Sequence, residues 1–157
     1  MLLPLAPAIA ACQPQADKPS AEQRGSPGLE QVPLSIRTAA GAEHRFTVEV
    51  ARTAQEQAQG LMNRQSLGPD QGMIFPMSPP REASFWMKNT LIPLDIIFVR
   101  ADGTIARIEQ NTVPLSLEPV MSFEPVAAVL ELAGGRTAEL GIQAGDWVSW
   151  QGGPALR

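Results

Sequence analysis

The chain has one cysteine and one histidine in 157 residues. A single cysteine excludes an intramolecular disulfide and any cysteine-based zinc cluster, and a single histidine excludes a histidine-rich metal site. Positive charge is also scarce: 12 Lys plus Arg stand against 16 Asp plus Glu, a net charge of −4. Nucleic-acid and anionic-lipid surfaces need clustered Lys and Arg, so neither is expected as a partner of this chain's folded surface. No run reaches the roughly 20 apolar residues that a transmembrane helix requires, and Pro4 and Pro7 break the apolar stretch at the start. A G-x-S-x-G nucleophile elbow is missing, and Gly134-Gly135 lacks the Lys and Ser or Thr of a phosphate loop. There is no internal repeat and no long amphipathic helix.

What is present suits a folded domain with a leader. Apolar residues make up 44% and charged residues 18%, the balance of a globular chain and not of a disordered one. A chain of this length buries roughly 68–70% of its unfolded surface, so no metal or cofactor is expected for folding. Residues 1–11 carry no charged side chain and end in small residues. The run Ile9-Ala10-Ala11-Cys12 resembles a bacterial lipobox, an aliphatic residue and two small ones before a lipidated Cys. Residues 1–11 are therefore read as a signal-peptide remnant and Cys12 as the lipidation site, which places the protein on the periplasmic face of the cell envelope with a lipid as its sole membrane contact. Residues 12–33 are rich in Pro, Gly, Ser and Gln and read as a flexible tether. Residues 34–151 form the domain, and 152–157 a tail.

Short strands dominate the domain. Phe46, Val48 and Val50 alternate with Thr47 and Glu49, the period of a half-buried strand. Thr53-Ala54-Gln55-Glu56 matches a capping box and predicts a short helix from Ala54 to Gln59. Met73-Ile74-Phe75 and Phe85-Trp86-Met87 are strand candidates, with Ser78-Pro79-Pro80 as a turn between them. Ile96 to Val99 is apolar throughout, so both faces are expected to be covered. Asp102-Gly103 turns this strand into a hairpin with Thr104 to Ile108. Val126 to Leu132 is a further strand, Arg136 to Leu140 a helical turn ended by Gly141, and Asp146 to Trp150 the last strand. The expected fold is mainly β: a compact distorted barrel or jelly-roll-like sandwich with one or two short helices.

Several phrases then stand together: Gly60-Leu61-Met62-Asn63-Arg64, Gly72-Met73-Ile74-Phe75, Phe85-Trp86-Met87-Lys88-Asn89-Thr90, Ile92-Pro93-Leu94-Asp95, Val129-Leu130-Glu131-Leu132 and Gly141-Ile142-Gln143-Ala144-Gly145-Asp146. In this order and spacing the chain resembles the domain of unknown function 192 family from Arg45 to Val148. The resemblance implies a compact, mainly β fold and members that often carry an export signal or lipobox. It carries over no catalytic residue, cofactor or substrate.

The segment around Trp86 holds the richest chemistry. Lys88 brings a charge, Asn89 an amide and Thr90 a hydroxyl, while Asp95 is a carboxylate inside an apolar strand and must be paired, hydrogen-bonded or set at a cleft. One reading converges Arg64, Trp86, Lys88, Asn89, Thr90 and Asp95 on a pocket for a small polar ligand. The other makes Asn89 and Thr90 satisfy backbone groups in a tight corner and pairs Asp95 with Arg64 or Lys88. Met62, Met73, Met77 and Met87 offer soft thioethers, but they lack a Met-x-Met repeat, and Met is a common core filler. His44, between Glu43 and Arg45, reads as solvated. The leading function is a non-catalytic small-ligand-binding or accessory module. The alternatives are a hydrolase of an envelope polymer, with Asp95 as acid or base beside Glu131 or Asp146, and a protein–protein adaptor that uses Phe85, Trp86 or Trp150 to bind an envelope protein. Trp147 and Trp150, three apart in a strand, should face opposite sides.

Overall fold

The computed structural model describes residues 28–154. Cys12, the lipobox it ends, the tether up to residue 27 and the tail beyond 154 lie outside the described residues. The expected mainly β fold is found. Strands β1 (Gln31–Arg37) and β2 (Glu43–Val50) are followed by α1 (Ala54–Gln59), β3 (Gln71–Arg81) and β4 (Ser84–Phe85). Then come β5 (Leu94–Val99), β6 (Ile105–Glu109), β7 (Val120–Met121), β8 (Val126–Ala133), α2 (Arg136–Leu140) and β9 (Trp147–Trp150).

Seven strands form one sheet in the order β6-β5-β8-β3-β2-β1-β9, and β4 pairs with β7 in a separate ribbon. Neighbours are antiparallel except β2 and β3, which run parallel because α1 provides the crossover. The sheet curls into a half-barrel until its edges touch. Ile105 N–H donates to the Asp146 carbonyl at 2.8 Å, Gly145 N–H to the Ile105 carbonyl at 2.9 Å, and Val148 N–H to the Gly103 carbonyl at 2.8 Å. Gly103, at φ 88°, makes the turn that brings these edges together.

Curling gives the sheet two apolar faces. The inner one holds Val32, Leu34, Ile36, Phe46, Val48 and Val50 from β1 and β2, with Ile97, Val99, Leu130 and Val148 across from them. The outer one holds Met73, Phe75, Leu94, Ile96, Phe98 and Val129, roofed by Leu61, Ala83 and Met87 from the connecting segments. This explains why β5 is buried at every position, as its sequence requires.

Three expectations shift. β1 starts at Gln31, inside the stretch read as tether, because Val32 alternates inward with Leu34 and Ile36. Ser78-Pro79-Pro80 does not end a strand. β3 runs through it to Arg81 with a register shift between Pro76 and Arg81, where the prolines donate no ladder bond. The strand at Phe85 stops there, because Trp86 and Met87 leave the ribbon for a corner in which Met87 N–H donates to the Ser116 carbonyl at 3.0 Å.

The helix, both hairpin strands and the tryptophans follow the sequence. Thr53 Oγ1 accepts from Glu56 N–H at 3.2 Å and Glu56 Oε2 accepts from Thr53 N–H at 2.8 Å, the full capping box. Trp150 packs on the inner core, while Trp147, on the other face of β9, lies under Arg37 at 5.7 Å. His44 is half-buried, not solvated. It shares the inward parity of Phe46 at the open end of β2, and its Nε2 is buried without a partner among the described residues.

Candidate functional site

A cavity of about 360 Å³ opens on the outer face between α1 with the loop after it and the β3–β4 turn. Gln57, Gln59 and Met62 line one wall, Arg81, Ser84 and Trp86 the other, and Phe75, Met77 and Glu131 the base. The sheet and the cap of α1 hold these walls in place. Gln57 Nε2 donates to the carbonyls of Ala51 and Pro76 at 3.1 and 3.0 Å, which pins α1 to β3. Phe75 and Phe85 meet edge to face at 5.0 Å and fix the opposite wall.

Glu131 is the unusual group. Glu49, Met73 and Glu131 are lateral partners on β2, β3 and β8, so their side chains form one row on the outer face. Arg64 reaches this row from the loop after α1 and pairs with Glu49 Oε2. Glu131 is 5% exposed. It accepts no hydrogen bond from any described residue, and burial pushes its carboxyl up to about 8, against the lowering pull of the Arg64 charge. Two buried carboxyls therefore share one guanidinium. One is ion-paired, and the other faces the cavity. On the opposite face, Gly72 lets β3 pack closely against β8: a Cβ there would stand 2.5 Å from the Glu131 backbone carbonyl oxygen.

The six expected ligand residues divide. Trp86 and Thr90 line the cleft. Lys88 is exposed, with its ammonium 5.0 Å from the centre of the Trp86 ring. Arg64 sits behind the floor in its pair with Glu49, not with Asp95. Asn89 is a corner residue at φ 56°, and its carbonyl accepts from Asn63 N–H at 2.8 Å, joining the two loops at the cleft mouth. Thr90 serves the same corner, accepting Leu115 N–H on its carbonyl at 3.0 Å.

Asp95 takes no part in the cleft. Its Oδ1 accepts the N–H groups of Asn111 at 2.9 Å and Gly135 at 2.8 Å, and its Oδ2 accepts Thr137 N–H at 2.8 Å and Thr137 Oγ1 at 2.7 Å. It is fully buried and joins the start of α2 to the segment after β6. The acid–base pair of Asp95 with Glu131 is divided by the sheet. Asp95 is opposite Leu132 on the inner parity, whereas Glu131 is opposite Ile96 on the outer one. Asp146 is likewise engaged, accepting from Ala39 N–H and Gln143 N–H at 2.8 Å each. The methionines also separate: Met62 and Met77 line the cleft, and Met73 and Met87 are core. Glu49 was hidden from sequence reasoning because alternation with Val48 and Val50 assigns it to solvent. Here that second face is roofed.

A curled β-sheet domain with an outer-face cleft over a buried carboxyl is the class of protein that fold and site define. The chain belongs to the domain of unknown function 192 family, described as an uncharacterized ACR, whose profile matches residues 35–150. It is similar to a solved protein of Novosphingobium aromaticivorans DSM 12444 of unknown function, at 44% identity and a TM-score of 0.76, over 86% of this chain and 100% of that one. It is also similar to a solved candidate transcription regulator of Sinorhizobium meliloti 1021, at 41% identity and a TM-score of 0.79, over 82% of this chain and 99% of that one. No curated protein matches the chain.

Proposed function

We propose that this protein is a non-catalytic binding module of the cell envelope, tethered through Cys12, that holds a small polar ligand in the cleft over Glu131. The observation that carries this reading is a 5%-exposed carboxyl that accepts no hydrogen bond among the described residues, at the base of an open cavity of about 360 Å³. That volume falls at the small end of ligand pockets, about 300–1,000 Å³. A carboxyl so placed keeps acceptor capacity for a donor on a ligand. The engaged oxygens of Asp95 and Asp146 support a binding role over glycan hydrolysis. A net charge of −4 is a poor match to a DNA surface, which weighs against extending the regulator designation of the Sinorhizobium protein to this chain.

Native mass spectrometry of the full chain from its own envelope fraction tests the reading. A non-covalent adduct that Trp86→Ala removes at unchanged melting temperature is expected, and so is a covalent lipid increment that Cys12→Ser removes along with membrane retention. A bare chain in every preparation would overturn the ligand reading, and an unlipidated, soluble wild type the tether. One observation favours an adaptor as the second reading: Leu91, Val113, Leu115 and Leu117 are exposed on the loops beside Trp86. In that case another envelope protein would co-purify, and Leu115→Asp would release it.

A further inference from the structure

We propose that the cleft is built for an organic cation: a primary ammonium on an apolar stem, seated against the Glu131 carboxylate with the stem along Met62, Met77 and Trp86. This deepens the binding reading above and rests on it.

The charge count carries the argument. Arg64 is committed to Glu49, so the Glu49–Arg64 pair is close to neutral and Glu131 is the second carboxyl beside a guanidinium already paired. Among the described residues, the other charged groups that line the cleft are Arg81 and Glu82, adjacent, exposed and of opposite charge. The α1 wall is uncharged, with Gln57 and Gln59 facing in. On β5 the lateral neighbour of Glu131 is Ile96, and beyond it Glu109 pairs with Arg107. The floor can therefore accept one positive charge, whereas an anion would meet two buried carboxyls. The walls suit the rest of such a ligand. Thioethers and aromatic rings accept an alkyl stem, and an indole face attracts an ammonium. Trp86 already carries one, the Lys88 Nζ at 5.0 Å.

A proton accompanies the exchange. Without a cation the Glu131 carboxyl keeps its proton near neutral pH. When an ammonium enters, the carboxyl releases that proton to solvent and a carboxylate–ammonium pair remains. The total charge balances, and no covalent bond to carbon changes. The ammonium can belong to a free diamine or to a lysine side chain of a partner peptide.

Calorimetric titration of the full chain with 1,5-diaminopentane, Nα-acetyl-lysine N-methylamide and the neutral Nα-acetyl-norleucine N-methylamide tests this. At least one amine should bind saturably, with affinity rising about tenfold per pH unit from pH 6 towards 8 and then levelling. Buffers of different ionisation heat should show about one proton released per amine at pH 6.5. Glu131→Gln should weaken binding at least about tenfold at pH 8 and remove the pH dependence. If that variant folds poorly, the wild-type pH profile still decides. Tighter binding of the diamine would identify a free amine, and tighter binding of the lysine derivative a peptide. Equal binding of the norleucine derivative, a flat pH profile, or no amine binding by about 10 mM would each overturn the proposal. Norleucine binding that Trp86→Ala abolishes would remove the cation yet keep the cleft as a ligand site. The absence of any binder, together with a bare chain in native mass spectrometry, would remove both.

Discussion

Four donors converge on the two oxygens of Asp95, and none of them comes from a charged side chain. Backbone amides at fixed positions need an acceptor-only group, and asparagine is not one. Asp95→Asn would set an amide donor against Thr137 N–H, losing that bond and leaving two buried donors opposed, and would force the Thr137 hydroxyl to turn from donor to acceptor. We expect a loss of about 3 kcal/mol and a fall in melting temperature of about 10 °C, read by thermal unfolding. The folded fraction should keep full cleft binding, because Asp95 lies on the other side of the sheet from Glu131. Loss of binding at unchanged stability would return Asp95 to the site. The need of Asp95 for partners was legible in the sequence, since a carboxylate between Leu94 and Ile96 cannot stand alone. Its partners were not, because Asn111, Gly135 and Thr137 meet it only after β6, β8 and α2 are in place. Glu131 shows the same limit. It was visible as a carboxylate in a strand, but its neighbour Glu49 lies two strands across the sheet and far off in the sequence, beyond anything that local periodicity can read.

At the scale of elements, short-range chemistry was legible and long-range pairing was not. Thr53 and Glu56 announce α1 because both halves of the capping box lie within one turn. Asp102-Gly103 announces the β5–β6 turn for the same reason, with Asp102 Oδ1 accepting Thr104 N–H at 2.9 Å. β1 was missed as a strand, since Gln31 and Pro33 look like linker until β2 and β9 flank them. The capping box also has a functional consequence, because α1 supplies a wall of the cleft through Gln57 and Gln59. Thr53→Ala should cost about 1 kcal/mol and lower the melting temperature by roughly 3–5 °C. Amide exchange of residues 54–60 should quicken, and any cleft ligand should dissociate faster. Glu56 adds an acid limit to the same element. Backbone N–H bonds from Thr53 and Arg52 hold its carboxyl below the usual range. Its support is therefore present above the unfolded value and lost as pH falls through the folded one. Unchanged exchange in α1 after Thr53→Ala would mean that the helix is held by its Gln57 bonds and not by its cap.

For the whole molecule, the row Glu49–Met73–Glu131 sets stability against function across the centre of the sheet. Glu131 titrates near 4.5 in an open chain and at about 8 in the fold, because burial disfavours its charged form. Between those values the folded state keeps a proton that the unfolded chain has released, so stability falls as pH rises through the window. The slope from this one group is about 1 kcal/mol per pH unit. Arg64 moderates it, and its pairing with Glu49 already uses most of the available compensation. Glu131→Gln keeps the shape and removes the titration. Thermal unfolding from pH 5 to 8.5 should show the wild type losing stability and the variant holding flatter. The two should be close at pH 5, and the variant the more stable at pH 8.5. Parallel profiles would mean that Glu131 reaches solvent and ionises without cost, and the cleft would then lack the desolvated carboxyl on which its binding role depends. If the profiles diverge, a saturating amine at pH 8 should restore the wild type towards the variant. Bound cation and lost charge would then be two ways of meeting the same demand at the base of the cleft.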